Sequence, residues 1–222
     1  MTNQFINIEM NKKSQILSTE EFVKEKIKGY DSGHDWWHIE RVRKLALYIN
    51  DAEELADPFI VEVTALLHDT ADSKFAGDYI EKGYSLIRDF MDKVGMSEIK
   101  DRVLNAIKNI SFSNNRKAGL TDDPLLLTVQ DADRLDAIGA IGIARAFNYA
   151  GFRNNPIYLP GEESGNTGKS TIGHFNNKLL KLKDLMNTCT GRKIAEERHE
   201  ILEKFLEQFY SEWYFIKDKR QK

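Results

Sequence analysis

The sequence predicts an all-α fold, and three observations support this prediction. Only four prolines occur in 222 residues, so few positions interrupt a helix. Runs in which Val, Ile and Thr alternate with polar residues, which would indicate strands, are scarce. Apolar residues recur instead at helical spacing, and cap signatures such as Asp57-Pro58 and Asp123-Pro124 precede several apolar segments.

These signals place the helices in order along the chain. Ser18 and Glu21 form a capping box that predicts the start of the first helix, and Asp31-Ser32-Gly33 ends it. The predicted helices cover residues 18–30, 34–55, 59–68, 79–94, 97–110, 125–150, 171–186 and 192–216. The helix 59–68 is apolar on most sides and is therefore expected to be buried.

One compact helical domain is expected over residues 18–222, because the segment 152–169 is the only plausible domain boundary and the sequence contains no internal repeat. Residues 1–17 are predicted to be a flexible N-terminal leader. The segment 152–169 is rich in Gly, Asn, Pro and Ser. We interpret it as an active-site flap within the domain, since long loops in compact domains are usually functional or disordered.

The composition argues against several classes of partner. The net charge is −3, so no overall positive field favours a nucleic-acid polymer. No run of about 18 apolar residues predicts a membrane span, and the N-terminus lacks a signal-peptide pattern. Cys189 is the one cysteine, which excludes an intrachain disulfide and fits a cytoplasmic protein. Self-association into a homodimer stays open.

Histidines and carboxylates occur where apolar helical segments predict a core. His68-Asp69 closes the predicted buried helix, and His38 lies on the helix before it. Asp131 and Asp133 follow a further apolar run. Burying such groups costs free energy unless they are paired or bind a metal ion. Imidazole and carboxylate ligands together suit one divalent ion such as Mn²⁺, Co²⁺, Ni²⁺, Fe²⁺ or Mg²⁺.

The order of these residues resembles a known signature. His38, His68-Asp69 and Asp133 are similar to the H…HD…D pattern of the HD-domain phosphohydrolase superfamily. The strings GHDWWH (33–38), QDADRLDAIGAIG (130–142) and HFNNKLLKL (174–182) resemble its bacterial YpgQ/YedJ-like subgroup. The superfamily implies an all-α fold, a metal held by these four residues, and hydrolysis of phosphate esters or anhydrides. The subgroup implies nucleotide pyrophosphohydrolase activity.

The resemblance also indicates how many ions the site holds. Superfamily members with two metals use further histidines between the HD pair and the last aspartate, whereas no histidine lies between His68 and His174 here. A single ion is therefore expected. Asp131 stays open as an alternative last ligand, although the string Ala132-Asp133-Arg134-Leu135 resembles the last motif and favours Asp133.

Several neighbours are predicted to act on the substrate. Asp72 lies three residues after Asp69, where better-known superfamily members carry an acidic residue, usually Glu, that acts on the attacking water or the leaving group. The predicted catalytic residues are Asp72 and, through the ion it holds, Asp69. The residues expected to contact substrate are His34, Lys74, Arg145, Lys169, His174 and Lys178. The alternative for each is an ordinary solvated, packed or salt-bridged side chain.

The expected reaction is hydrolysis of a nucleoside triphosphate to a monophosphate and pyrophosphate. A nucleoside monophosphatase or other phosphomonoesterase could use the same metal site and is the first alternative. A non-catalytic signalling module of the same fold is the second alternative, and the presence of all four ligand residues argues against it.

Overall fold

The computed structural model describes residues 2–28, 35–71, 80–110, 122–162 and 169–215. Within these ranges the chain forms nine α-helices and no strand, which confirms the predicted all-α fold. They are α1 (Thr2–Lys26), α2 (Trp36–Glu53), α3 (Pro58–Leu67), α4 (Ile80–Lys93), α5 (Ser97–Ile110), α6 (Pro124–Asp136), α7 (Gly139–Phe152), α8 (Thr171–Asn177) and α9 (Cys189–Trp213). None of these helices is long and apolar enough to cross a membrane.

Aspartate caps begin three of the helices. The carboxylates accept hydrogen bonds from backbone N–H groups of the first turn of α2, α3 and α6, at 2.9, 2.8 and 3.1 Å respectively. The capping residues are Asp35, Asp57 and Asp123. Such caps satisfy donors that have no partner within the helix. The starts predicted from Asp57-Pro58 and Asp123-Pro124 are confirmed to within one residue.

The predicted start of the first helix at Ser18 is wrong, because α1 begins at Thr2. The Thr19 hydroxyl donates to the carbonyl of Gln15 at 2.7 Å, which is a bond within a continuing helix. The Gln15 amide in turn donates to the carbonyls of Val94 and Gly95, both at 3.1 Å. These tertiary hydrogen bonds stabilise a helix that continues through Ser18, although the local sequence there resembles a helix start. The domain boundaries 1–17 and 18–222 stay a prediction.

The predicted single helix 125–150 is also wrong, because α6 and α7 are separated at Ala137 and Ile138. Gly139 has φ +75°, which is the left-handed region that residues other than glycine rarely adopt. A Cβ at Gly139 would lie 2.9 Å from Cγ of Arg198. A glycine conformation and a tertiary contact thus set this break, and helical periodicity reveals neither.

The predicted helix 171–186 is shorter in the structure. Helix α8 ends at Asn177, and two single turns of 3₁₀-helix follow, Leu179–Lys181 and Lys183–Leu185. Lys178, which lies between α8 and the first of these turns, has φ −132° and ψ −58°. This conformation lies outside the helical region. The last helix, predicted over 192–216, begins earlier at Cys189, where the Thr188 hydroxyl caps it.

The chain divides into two compact units, Met1–Asp133 and Arg134–Lys222. In the first unit α3 contacts α1, α2 and α5, and α4 contacts α5. Most of α3 is buried, as the sequence predicts, including Val61, Val63, Ala65, Leu66 and Leu67. His68 and Asp69 follow directly on this buried helix.

An ionic cluster connects the first three helices of this unit. Arg43 on α2 donates to Glu62 on α3 at 2.8 Å, to Glu20 on α1 at 2.8 Å, and to Glu40 on its own helix at 3.2 Å. All four side chains are about four-fifths buried. We refer to these four residues as the Arg43 cluster.

The second unit has an aromatic core. Helix α7 contacts α9 and α8, and the Phe147 ring lies 6.0 Å from that of Phe175 and 5.8 Å from that of Phe205. Tyr158, which the sequence places in the loop 152–169, is buried. Its ring lies 5.0 Å from that of Trp213. Core packing therefore accounts for these rings.

Candidate metal centre

His68 is held in one tautomer at the end of α3. Its Nδ1 lies 2.7 Å from the carbonyl oxygen of Ala65, and a carbonyl only accepts, so Nδ1 carries the proton. The lone pair of the ring is thereby left on Nε2. That atom is buried and has no hydrogen-bond partner among the described residues. A backbone carbonyl that orients a histidine in this way is typical of metal ligands.

His38 lies in the first turn of α2, and its side chain is 1% exposed. The Asp35 carboxylate caps this helix by accepting from the backbone N–H of His38 at 2.9 Å. Asp35 therefore fixes the backbone that carries a proposed ligand. Asp35 is not among the predicted site residues, although an aspartate three residues before the first buried residue of a helix is a usable cap signal.

Two carboxylates approach both imidazoles. His38 Nε2 lies 3.1 Å from Asp69 Oδ2 and 3.5 Å from Asp133 Oδ1. His68 Nε2 lies 3.6 Å from Asp69 Oδ1 and 3.9 Å from Asp133 Oδ1. One ligand atom from each of His38, His68 and Asp69 falls within 4.8 Å of the others. The structure thus brings together the four residues that the sequence predicts as ligands.

These distances fit ligands of one divalent ion. Atoms about 2.1 Å from an octahedral ion are about 3 Å apart in neighbouring positions and about 4 Å apart in opposite ones. The four distances given above, in which Asp69 offers a different oxygen to each histidine, lie between these two values. The donor set, two neutral imidazole nitrogens and two carboxylates, suits a divalent ion of intermediate softness. The His38/His68/Asp69 cluster therefore has the chemistry of a metal site.

The alternative ligand Asp131 lies two residues before Asp133 on α6. Asp131 is fully buried, whereas the Asp133 side chain is 36% exposed. Residues two apart on a helix face different directions. The choice of Asp133 as the last ligand stays a prediction, which its distances to both imidazoles support.

Three predicted site residues lie outside the described residues: His34, Asp72 and Lys74. Their predicted roles in catalysis and substrate contact stay predictions. The described chain ends at Ala71 on one side of the segment 72–79 and resumes at Ile80 on the other.

Arg145, a predicted substrate contact, is part of an ion pair in the second unit. Its Nη1 donates to the Asp136 carboxylate at 2.7 Å and to the Asp136 carbonyl at 3.2 Å. The Asp136 side chain is 1% exposed, so the pair joins α7 to the end of α6. Asp136 is not among the predicted site residues, since nothing in the local sequence pattern connects it to a residue nine positions later.

Lys169 and the buried Glu162 lie at the two described ends of the loop 152–169. Lys169 is exposed, and its backbone N–H donates to the Glu162 carboxylate at 3.2 Å. The Ser170 hydroxyl donates to the same carboxylate. By accepting these two hydrogen bonds, Glu162 stabilises the start of α8. Glu162 is not among the predicted site residues. The roles of Lys169 in substrate binding and of this loop as a flap stay predictions.

His174 and Lys178 lie one turn apart at α8, as the sequence predicts. Burial, together with the nearby Lys178 ammonium, lowers the pKa of His174 to about 4. The ring is therefore neutral at pH 7. In that form His174 can donate or accept a hydrogen bond but adds no positive charge for a phosphate.

The comparison with known proteins identifies the family of this chain. Residues 36–138, which include all four predicted ligands, match the family model of the HD domain. The chain is 46% identical to Bacillus subtilis YpgQ over 181 residues, which cover 80% of this chain and 83% of that protein. The chain therefore belongs to the HD-domain family and to its YpgQ-like members, and the predicted resemblance is confirmed.

Solved structures show the same likeness. A crystal structure of Bacillus subtilis YpgQ in complex with ADP matches with a TM-score of 0.73 and 40% identity, over 89% of this chain and 97% of that one. An HD-superfamily hydrolase from Bacillus thuringiensis matches with a TM-score of 0.72 and 40% identity, over 91% and 98% of the two chains. The chain is thus a member of a hydrolase superfamily whose domains bind divalent metal ions.

Proposed function

We propose that this chain is a metal-dependent phosphohydrolase that converts nucleoside triphosphates, either ribo- or deoxyribonucleotides, to monophosphate and pyrophosphate. The observation that carries the proposal is the convergence of the four residues described above, with the lone pair of His68 Nε2 buried and facing carboxylates. A buried polar atom without a partner costs free energy. A divalent ion would remove this cost at His68 Nε2.

His38, His68, Asp69 and Asp133 would hold the ion. When bound, a divalent ion at such a site lowers the pKa of water and polarises a phosphoryl oxygen. Asp69 and Asp133 also limit how close an anionic substrate can approach without that ion, because their charges repel phosphate. We therefore expect nucleotide binding itself to depend on the metal.

The ligand residues leave proton transfer to another group. A general acid or base must lie within hydrogen-bond distance of the proton it moves, directly or through one water. We assign this role to Asp72, which follows Asp69 by three residues. Its carboxylate would accept the proton of the attacking water and return it to the leaving oxygen of pyrophosphate.

The nucleotide class is supported by a relative. A protein 40% identical to this chain was crystallised in complex with ADP, and nucleoside di- and triphosphates share the base, the sugar and the phosphoanhydride. The predicted contacts to the remaining phosphates are His34, Lys74, Arg145, Lys169, His174 and Lys178, of which His174 would be a neutral hydrogen-bonding group. The ion pair with Asp136 makes Arg145 the weakest of these.

A product assay tests the proposal. The purified protein is incubated with each NTP and dNTP and with AMP, in the presence of Mn²⁺, Co²⁺, Ni²⁺, Fe²⁺ or Mg²⁺, and pyrophosphate and orthophosphate are measured separately. We expect equimolar pyrophosphate and monophosphate from triphosphates. Orthophosphate from AMP would establish the phosphomonoesterase alternative instead.

A matched pair of variants separates the metal centre from general stability. His68→Ala removes a proposed ligand, whereas His199→Ala removes a buried histidine of α9. We expect His68→Ala to lose about a thousandfold in kcat, since an ion contributes several kcal/mol to the transition state. His199→Ala should keep most of the activity of its folded fraction. Equal losses in the two variants would contradict the proposal.

A further inference from the structure

The turn that carries two proposed metal ligands also holds a buried hydroxyl group for which the described residues offer no partner. Residues 68–71 form this turn directly after α3, and the backbone N–H of Thr70 donates to the carbonyl of Leu67 at 3.0 Å. Thr70 is 9% exposed. Its Oγ1 is buried and has no hydrogen-bond partner among the described residues. The metal ion accounts for His68 Nε2 but not for this hydroxyl.

Other buried threonines of this chain satisfy their hydroxyls internally. In each of three helices a threonine hydroxyl donates to the carbonyl four residues earlier, at 2.7 or 2.8 Å. These residues are Thr19, Thr64 and Thr128, and all three are fully buried. Thr70 follows the end of α3 and makes no such bond. Buried hydroxyls normally have a partner, so the partner of Thr70 is expected to be a molecule that binds at this turn.

Close packing restricts the turn. Ala71 is 3% exposed, and a Cβ added to Gly83 on α4 would come within 2.9 Å of the Ala71 Cβ. Helix α4 therefore lies directly against the residue that follows Thr70. Because the turn is enclosed in this way, the hydroxyl is kept from bulk solvent next to the metal ligand Asp69.

We propose that the Thr70 hydroxyl donates a hydrogen bond to a non-bridging phosphate oxygen of the nucleotide. This inference rests on the proposed function, because it takes the substrate to be a nucleotide bound at the metal centre. A phosphate oxygen only accepts hydrogen bonds, and a hydroxyl supplies a donor. Next to Asp69 in the same turn, such a donor would give phosphate a favourable contact without changing the charge of the site.

Three variants test this assignment. Thr70→Val has nearly the same shape and lacks the hydroxyl, Thr70→Ser restores it, and Thr64→Val is the control in which an internally bonded hydroxyl is removed from α3. The melting temperature is measured without metal or nucleotide. The Kd of an α,β-methylene nucleoside triphosphate, which cannot be cleaved between the α and β phosphates, is measured with Mn²⁺ by calorimetry.

We expect Thr70→Val to keep or raise the melting temperature, because an unpaired buried hydroxyl is removed. The same variant should bind the analogue about ten- to a hundredfold more weakly, as for loss of a hydrogen bond to a charged group. Thr70→Ser should bind within about threefold of the wild type. Thr64→Val should melt at a lower temperature and bind the analogue normally.

Two results would overturn the inference. One is Thr70→Val binding the analogue as tightly as the wild type. The other is Thr70→Val losing thermal stability like Thr64→Val, which would reveal an internal partner. Failure of the proposed function is distinguishable, since a wild type that binds the analogue but releases no pyrophosphate leaves the Thr70 contact standing. A wild type that binds no nucleotide analogue with any metal would contradict both the proposed function and the Thr70 contact.

Discussion

Two polar clusters of the first unit contain similar numbers of ionisable side chains but differ in how these are paired. In the Arg43 cluster one guanidinium donates to three carboxylates on three helices. At the metal centre two carboxylates face two histidines at 3.1–3.9 Å, and a lone pair of His68 is left without a donor. The first cluster contains its own cation, and we propose that the second binds a metal ion.

This difference indicates what each cluster does. Opposite charges that neutralise one another within the protein join helices and need no ligand. A buried histidine lone pair that finds no donor among the described residues, such as that of His68, is unfavourable until a cation binds. Breaking the first cluster should therefore reduce stability, whereas breaking the second should reduce ligand binding.

The largest expected effect is at the last ligand. Asp133→Asn keeps the shape of the side chain and removes its charge, and we expect the Kd for Mn²⁺ to rise more than about a hundredfold, since even loss of an outer partner costs ten- to a hundredfold. Asp131→Asn is the matched control and should have the smaller effect. Free Mn²⁺ measured by EPR gives both constants. A larger effect of Asp131→Asn would make Asp131 the ligand.

A buried histidine of the second unit extends the comparison, because its neighbour is a lysine rather than carboxylates. The pKa of His174 lies at about 4 in the folded chain, below about 6.5 for an unfolded histidine. As the pH falls below 6.5 the unfolded chain binds this proton first. The contribution of neutral His174 to the free energy of unfolding should therefore be complete above pH 6.5. It should decrease by up to about 3 kcal/mol as the pH falls to 4.

Urea unfolding of the wild type and of His174→Gln at pH 7.5, 5.5 and 4.5 measures this contribution. Glutamine does not titrate, so the difference between the two proteins should shrink or change sign as the pH falls. Parallel stability curves for the two proteins would show that His174 titrates normally. The metal-free protein is used, so that metal release does not contribute.

Removal of the Arg43 guanidinium should destabilise the folded chain. Arg43→Met leaves three partly buried carboxylates without their shared donor, and we expect the free energy of unfolding to fall by about 2 kcal/mol, less than for a fully buried pair. Arg43→Lys keeps the charge but loses the planar fork, so its effect should be smaller. Urea unfolding measures both. Mn²⁺ affinity of the folded protein should stay within about threefold, and a larger change would mean that the cluster also positions the ligands.

The smallest expected effect is at Gln130, a buried neutral residue just before the aspartates of α6. Its amide donates to the carbonyls of Asn109 and Ile110 at the end of α5, both at 3.3 Å. Gln130→Leu should lower the free energy of unfolding by about 1 kcal/mol. Urea unfolding at pH 7.5 tests this value, and an unchanged midpoint would show that water replaces the amide.

The sequence predicts the helices, and the four polar residues that the structure brings together, better than it predicts helix ends and pairings. His38, His68, Asp69 and Asp133 were identifiable because each interrupts or closes an apolar helical segment in an order that resembles one family. The break before Gly139 was missed because it depends on a backbone conformation and on Arg198. The partners of Arg43 and Arg145 were missed because such pairs join residues that are distant in the sequence.

EPR spectroscopy of bound Mn²⁺ tests the shared ion most directly. The chain is labelled with ¹⁵N-histidine, titrated with Mn²⁺, and examined for hyperfine coupling to histidine nitrogen. We expect one tightly bound ion per chain that is coupled to two histidine nitrogens, and coupling to a single nitrogen in any ion that His68→Ala retains. Absence of tight binding, or coupling that neither His38→Ala nor His68→Ala alters, would contradict a metal centre at these residues.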